Sequence, residues 1–190
     1  MPDVNYVIRD GAVVADDWTL IPAAEDDATG VLPAGKVIVP LKTWRAHRET
    51  LTRRGREQNQ PIGIWLDGHD DPSLLADSIN RFAVIAVHFS KFADGRGYST
   101  AVLLRTRYGF TGELRAVGDV LRDQLFYLQR VGFNAFAVRA DRDIHDAAKA
   151  LKDFTAAYQR SVDHPLPLFG QRLLQRHIRH NPPHLPEIVH

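Results

Sequence analysis

The chain contains no cysteine. That absence removes disulfides, thiolate nucleophiles, cysteine-ligated zinc and cysteine-bound iron–sulfur clusters from its chemistry. It also lacks any run of about 18 apolar residues of the kind that crosses a bilayer as a helix. The opening residues MPDVNYVIRDG have neither the basic patch nor the apolar core of a secretory signal. A net charge of +1 over 190 residues gives no global pull toward nucleic acid or a membrane surface. These absences lead to the expectation of a cytoplasmic protein with neither nucleic acid nor membrane as partner. Catalytic signatures are missing too: there is no Gly-Lys-Ser/Thr phosphate loop, no G-x-S-x-G elbow and no H-E-x-x-H metal motif. No cofactor is identifiable from the sequence.

What is present divides into three stretches. Residues 1–35 read as a β-hairpin and linker: Val4–Ile8 and Ala12–Ile21 are strand-like and flank Arg9-Asp10-Gly11, where Asp-Gly supplies the positive φ of a tight turn. Pro22 to Gly35 is rich in Ala, Asp, Gly and Pro and reads as a loop. Residues 36–160 form an α/β core. Its short apolar runs, Val37–Leu41, Ile62–Leu66, Val84–Phe89, Leu114–Val117 and Ala135–Val138, are separated by segments long enough for a helix. Helical spacing puts Leu121, Leu125 and Leu128 on one face, and Ile144, Ala148, Leu151 and Phe154 on another. Uninterrupted apolar runs suit parallel strands covered on both faces. The expected fold is therefore about five parallel strands alternating with helices, either an open doubly wound sheet or an incomplete TIM-like barrel, since a complete barrel normally needs about 250 residues. Residues 161–190 are a basic tail rich in proline and histidine, with one short helical segment at Gln171–Arg179.

In such folds ligands gather where strands end and helices begin. Those positions hold Asp67, Gly68 and His69; His88 and the loop Lys91–Ser99; Asp119 and Arg122–Gln124; then Arg139, Asp141 and Arg142. In the loop, KFADGRGYS, glycines Gly95 and Gly97 flank Arg96. Successive amides there would point into one concavity, an anion-binding nest to which Arg96 and Lys91 add charge. The structural alternative has Asp94 capping its own turn, Ser99 capping the next helix and the glycines merely easing a corner. Gly95-Arg96-Gly97 also begins a dinucleotide fingerprint, but Thr100 holds the place of the third glycine. Asp119 is placed as a helix N-cap, and Arg122 is a cation in a first helical turn, a misfit unless an acid or bound anion compensates. The candidate ligand-binding set is thus Lys91, Asp94, Gly95, Arg96, Gly97, Ser99, Asp119, Arg122 and Arg139. No catalytic residue and no metal site emerges; His177, His180 and His184 cluster in the tail, without built ligand spacing.

The run KFADGRGYSTAVLLRTRYGFTGELRAVGDVLRDQLFYLQRVGFNAFAVR, with ADDWTLI and VIVPLKTW upstream, resembles an uncharacterised bacterial family of unknown function labelled as oxidoreductases involved in sulfite reduction. The resemblance covers Tyr6 to about Gln159. Family members are typically encoded beside sulfite reductase and the reductase acting on activated sulfate, which implies a role in assimilating sulfate to sulfide. No catalytic residues are established for the family. This chain departs from its pattern at His88 and Ser90, where aspartate and proline are usual, at Val131, where cysteine is common, and at Asn134, where aspartate is usual.

The resemblance implies an accessory protein of assimilatory sulfate and sulfite reduction. It would bind a partner enzyme, such as sulfite reductase, or a small oxyanion at the carboxyl ends of the strands. The alternative is an enzyme acting at the same cleft on a phosphate- or sulfur-oxyanion-bearing substrate, including a nucleotide-dependent oxidoreductase. An open sheet edge needs cover, so a homo-oligomer, most simply a dimer, is expected in either case.

Overall fold

Two left-handed residues, Asp10 (φ 49) and Gly11 (φ 80), fold the start of the chain back on itself. They join β1 (Tyr6–Arg9) to β2 (Ala12–Ala15), an antiparallel hairpin closed by the turn that Asp-Gly encodes. The computed structural model describes residues 5–23, 32–152 and 161–162. Most of the expected linker, the helix position at Phe154 and nearly all of the tail lie outside these. After the hairpin come β3 (Trp18–Leu20), β4 (Lys36–Pro40), α1 (Leu41–Ala46), α2 (Arg48–Glu57), β5 (Ile62–Leu66), β6 (Val84–Phe89), α3 (Arg96–Thr106), β7 (Glu113–Gly118), α4 (Leu125–Arg130), β8 (Ala135–Phe136) and α5 (Ile144–Lys149). Among the described residues no helix is long and apolar enough to cross a membrane.

All eight strands join one mixed sheet in the order β2-β1-β8-β7-β6-β5-β4-β3. Strands β3 to β8 pair in parallel and in chain order, while β1 adds antiparallel to β8 and β2 antiparallel to β1. The expected apolar runs correspond to β4 to β8, but the sheet is larger than the expected five parallel strands: β3 adds another parallel strand, and the hairpin, expected as a separate element, joins it antiparallel. The single strand expected over Ala12–Ile21 breaks at Asp16-Asp17, and the hairpin joins through backbone bonds that leave no mark in the side-chain pattern. The doubly wound alternative also fails. Such a sheet reverses its strand order at a switch point, and this one never does.

Alternation sorts the strand residues between two cores. Ile85, Val87 and Phe89 of β6 face outward with Val37, Val39, Ile64, Leu66, Leu114, Ala116 and Phe136. Against them pack Trp44 and Leu51 of α1 and α2, Ala101 and Leu104 of α3, and Leu125 and Leu128 of α4. The opposite face carries a smaller cluster of Trp18, Ile38, Trp65, Val84, Ala86 and Val117.

The sheet is curled, and chain connectivity forces this. Ala15 ends β2 at one edge and Trp18 begins β3 at the other. Three peptide steps span at most about 11 Å, whereas a flat sheet of this width would hold its edges about 34 Å apart at about 4.8 Å per strand. The two edges must therefore lie near each other, and the smaller cluster fills the inside of the curl. There the Arg115 guanidinium, only 2% exposed, donates to Asp16 in the β2–β3 link (2.8 Å) and to Glu113 (2.7 Å). Glu113 also pairs with Arg9 at 2.7 Å. Arg115 Nη2 is buried without a partner.

Candidate functional site

The loop after β6 is held down by its neighbours on the carboxyl rim of the sheet. Asp119, just past β7, donates its amide to the Phe89 carbonyl (2.8 Å), and its carboxylate accepts the Phe92 amide at 2.9 Å. Gln124, itself buried, donates from its side-chain amide to the Phe92 carbonyl at 3.1 Å and accepts the Leu121 amide at 2.9 Å. Both backbone groups of Phe92 are thus fixed, while its ring stands 45% exposed. Gly118, at φ +93, lets β7 reach this point: a Cβ there would fall 2.4 Å from the Phe89 carbonyl oxygen.

The glycines around Arg96 do not form a nest. Gly95 is right-handed (φ −76, ψ −9) and precedes α3 as its N-cap, so Arg96 and Gly97 are helical. Alternating right- and left-handed residues are what aim successive amides at one anion, and neither glycine has positive φ. Gly97 has a packing reason instead, since a Cβ would lie 2.6 Å from the Phe89 ring. Ser99 lies inside α3 and caps nothing. Asp94 does hold its own turn, accepting the Arg96 amide at 3.2 Å.

Asp94 also grips the Arg96 guanidinium with both oxygens, at 2.9 and 2.7 Å. That hydrogen bond from Arg96 pulls the Asp94 carboxyl down to about 2 and raises the pKa of Arg96. The remaining guanidinium nitrogen lies 2.7 Å from the His69 ring, on the loop after β5. Gly68 leaves the room for this, because a Cβ there would lie within 3.0 Å of Asp94 and Arg96 atoms.

A second ionic group follows β7 and β8. Arg139 donates to Asp119 at 3.0 Å and to both oxygens of Asp141 at 2.8 and 2.6 Å. Its hydrogen bonds bring Asp141 down to about 2 and lower Asp119, which the Phe92 amide lowers further. Asp119 therefore does not cap a helix, as its position predicts; Leu121 takes that place ahead of a 3-10 turn at Arg122–Gln124. Arg122 meets Asp146 of α5 at 3.3 Å, so an acid compensates the first-turn cation. The cavity beside it, about 480 Å³, is lined by Asp123, Asp141, Asp143 and Asp146 against Arg122 and Arg142. Carboxylates outnumber guanidiniums there, which disfavours an anion.

The candidate residues thus divide among three ionic groups instead of surrounding one pocket. The Lys91–Gly95 loop links the first two, with Arg96 contacting the β5 loop and Arg139 the β7 loop. Lys91 is exposed and has no partner among the described residues. Arg96 and Arg139, the cations nearest a would-be ligand, are each already gripped by carboxylates. Sequence reasoning passes over Phe92, whose only signal is an aromatic side chain in a polar, glycine-rich loop.

Residues 63–169 match a family described as bacterial protein of unknown function (DUF934). No curated protein matches the chain.

Proposed function

We propose, for a chain that belongs to this bacterial family of unknown function, that the carboxyl rim of the sheet is a docking surface for a partner enzyme. On this reading the protein is an accessory of assimilatory sulfate and sulfite reduction. The observation that carries the docking role is Phe92, an exposed ring on a backbone tied at both its amide and its carbonyl. Pre-ordering an aromatic anchor removes most of the entropy cost of fixing it on association, and buried aromatic anchors ringed by polar residues dominate protein interfaces. The surrounding ion pairs of Arg96 and Arg139 supply such a ring. Their carboxylates also speak against a free oxyanion as the main ligand, because an incoming anion would have to displace Asp94 or Asp141. The link to sulfur assimilation comes from the resemblance of the run between Lys91 and Arg139.

Binding of the purified chain to purified sulfite reductase and to the reductase of activated sulfate, followed by biolayer interferometry, tests this. With one of them, micromolar or tighter affinity is expected, with a loss of tenfold or more in Phe92→Ala and an unchanged unfolding temperature. A chain that binds neither enzyme, from a strain whose deletion mutant grows equally on sulfate and on cysteine, removes the proposal.

A further inference from the structure

A second concavity lies at the opposite ends of the strands. It has a volume of about 360 Å³, a normal size for a small-molecule site, and sits where β5 and β6 begin, under α1 and α2. Its floor is apolar: Leu51 and Ile62, with Trp44 and Phe82 meeting edge to face at a centroid distance of 5.0 Å. Among the described residues, Arg56 and Arg81 are the charged ones in its lining, and no acid lines it. Both are exposed, and neither guanidinium has a hydrogen bond or ion pair among the described residues. This sets them apart from Arg96, Arg115, Arg122 and Arg139, each of which is paired with a carboxylate.

Gly55 adds an independent observation. It stands within α2, where alanine would favour the helix by about 1 kcal/mol, and it lines the cavity. Its φ is not positive, and the nearest atom to an added Cβ is the Gln60 carbonyl oxygen at 3.8 Å, ordinary contact. Neither backbone conformation nor packing calls for glycine at this position. What a side chain there would do is fill the concavity.

We propose that this cavity binds a small amphipathic organic anion: an apolar, ring-sized body against Trp44 and Phe82, with one carboxylate or sulfonate held by Arg56 and Arg81. An apolar body covering that floor removes apolar surface from water, and a guanidinium matches a planar or tetrahedral oxyanion through paired donors. The site is separate from the rim and does not depend on the docking proposal.

The experiment uses two fluorescent probes with nearly the same rings, 8-anilinonaphthalene-1-sulfonate and the neutral N-phenyl-1-naphthylamine, titrated into the full chain. One saturable site is expected for the sulfonate. Gly55→Leu should weaken both probes tenfold or more without lowering the unfolding temperature. Combined Arg56→Gln and Arg81→Gln should weaken the sulfonate tenfold or more and the neutral probe less than twofold. The arginines are exposed, so the double variant decides the matter even where Gly55→Leu misfolds. Equal losses for both probes in that variant, or no loss of the sulfonate, overturn the proposal.

Discussion

Asn134 illustrates how a single side chain ties distant segments together. Its carbonyl oxygen accepts the Leu114 amide (2.8 Å) and the Arg105 guanidinium (3.1 Å), while its NH₂ donates to Asp10 at 3.2 Å. An aspartate could not make the last of these bonds, which gives the asparagine a physical reason in this chain. Asn134→Ala should cost about 1–3 kcal/mol in urea unfolding, because it strands the amide of the buried Leu114. Gly118 is constrained differently. With φ at +93 and a backbone oxygen 2.4 Å from any added Cβ, Gly118→Ala should lose about 3 kcal/mol. The same variant should loosen the Phe92 loop, visible as faster amide hydrogen exchange at Phe92 than in the parent. These roles are only partly legible in sequence. Asp10-Gly11 announces its turn, whereas nothing local to Gly118 or Asn134 names the atoms that crowd or bind them.

At the scale of elements, strands were more legible than the starts of helices. β5 and β6 coincide with the apolar runs Ile62–Leu66 and Val84–Phe89, because burial on both faces writes itself into every residue of a central strand. Helix starts depend on which carboxylate reaches which amide, and that is settled by tertiary neighbours. Asp119 was drawn away from its expected cap by the Phe92 amide and Arg139. Asp94 secures the start of α3, and its titration gives a pH signature. The folded carboxyl sits at about 2 while the unfolded one has its ordinary value near 4. Its stabilisation is therefore complete above about pH 4 and fades as pH falls toward 2. The stability gap between the parent and Asp94→Asn should stay constant from pH 8 to 5 and close below pH 4 in denaturant titrations. A gap that persists undiminished at pH 2 would separate Asp94 from this role.

For the whole molecule, the decisive feature is the curl, and it was the least legible. The ion pair that crosses it, Asp16 with Arg115, joins residues 99 positions apart. In sequence Arg115 is merely a charge interrupting the apolar run Leu114–Val117. Arg115→Met should cost roughly 3–5 kcal/mol, since it takes the buried guanidinium from two carboxylates whose side chains are only 12% exposed. Adding Asp16→Leu should recover most of that loss, because Glu113 keeps Arg9; a double-mutant cycle by chemical denaturation measures the coupling. The first strand's pairing with the last has a temporal consequence. Ile8 needs Phe136 as its register partner, so on the ribosome the opening hairpin must wait through most of translation before its seat exists. Nascent chains arrested short of residue 136 should be digested readily at their amino end, and those released beyond it should resist.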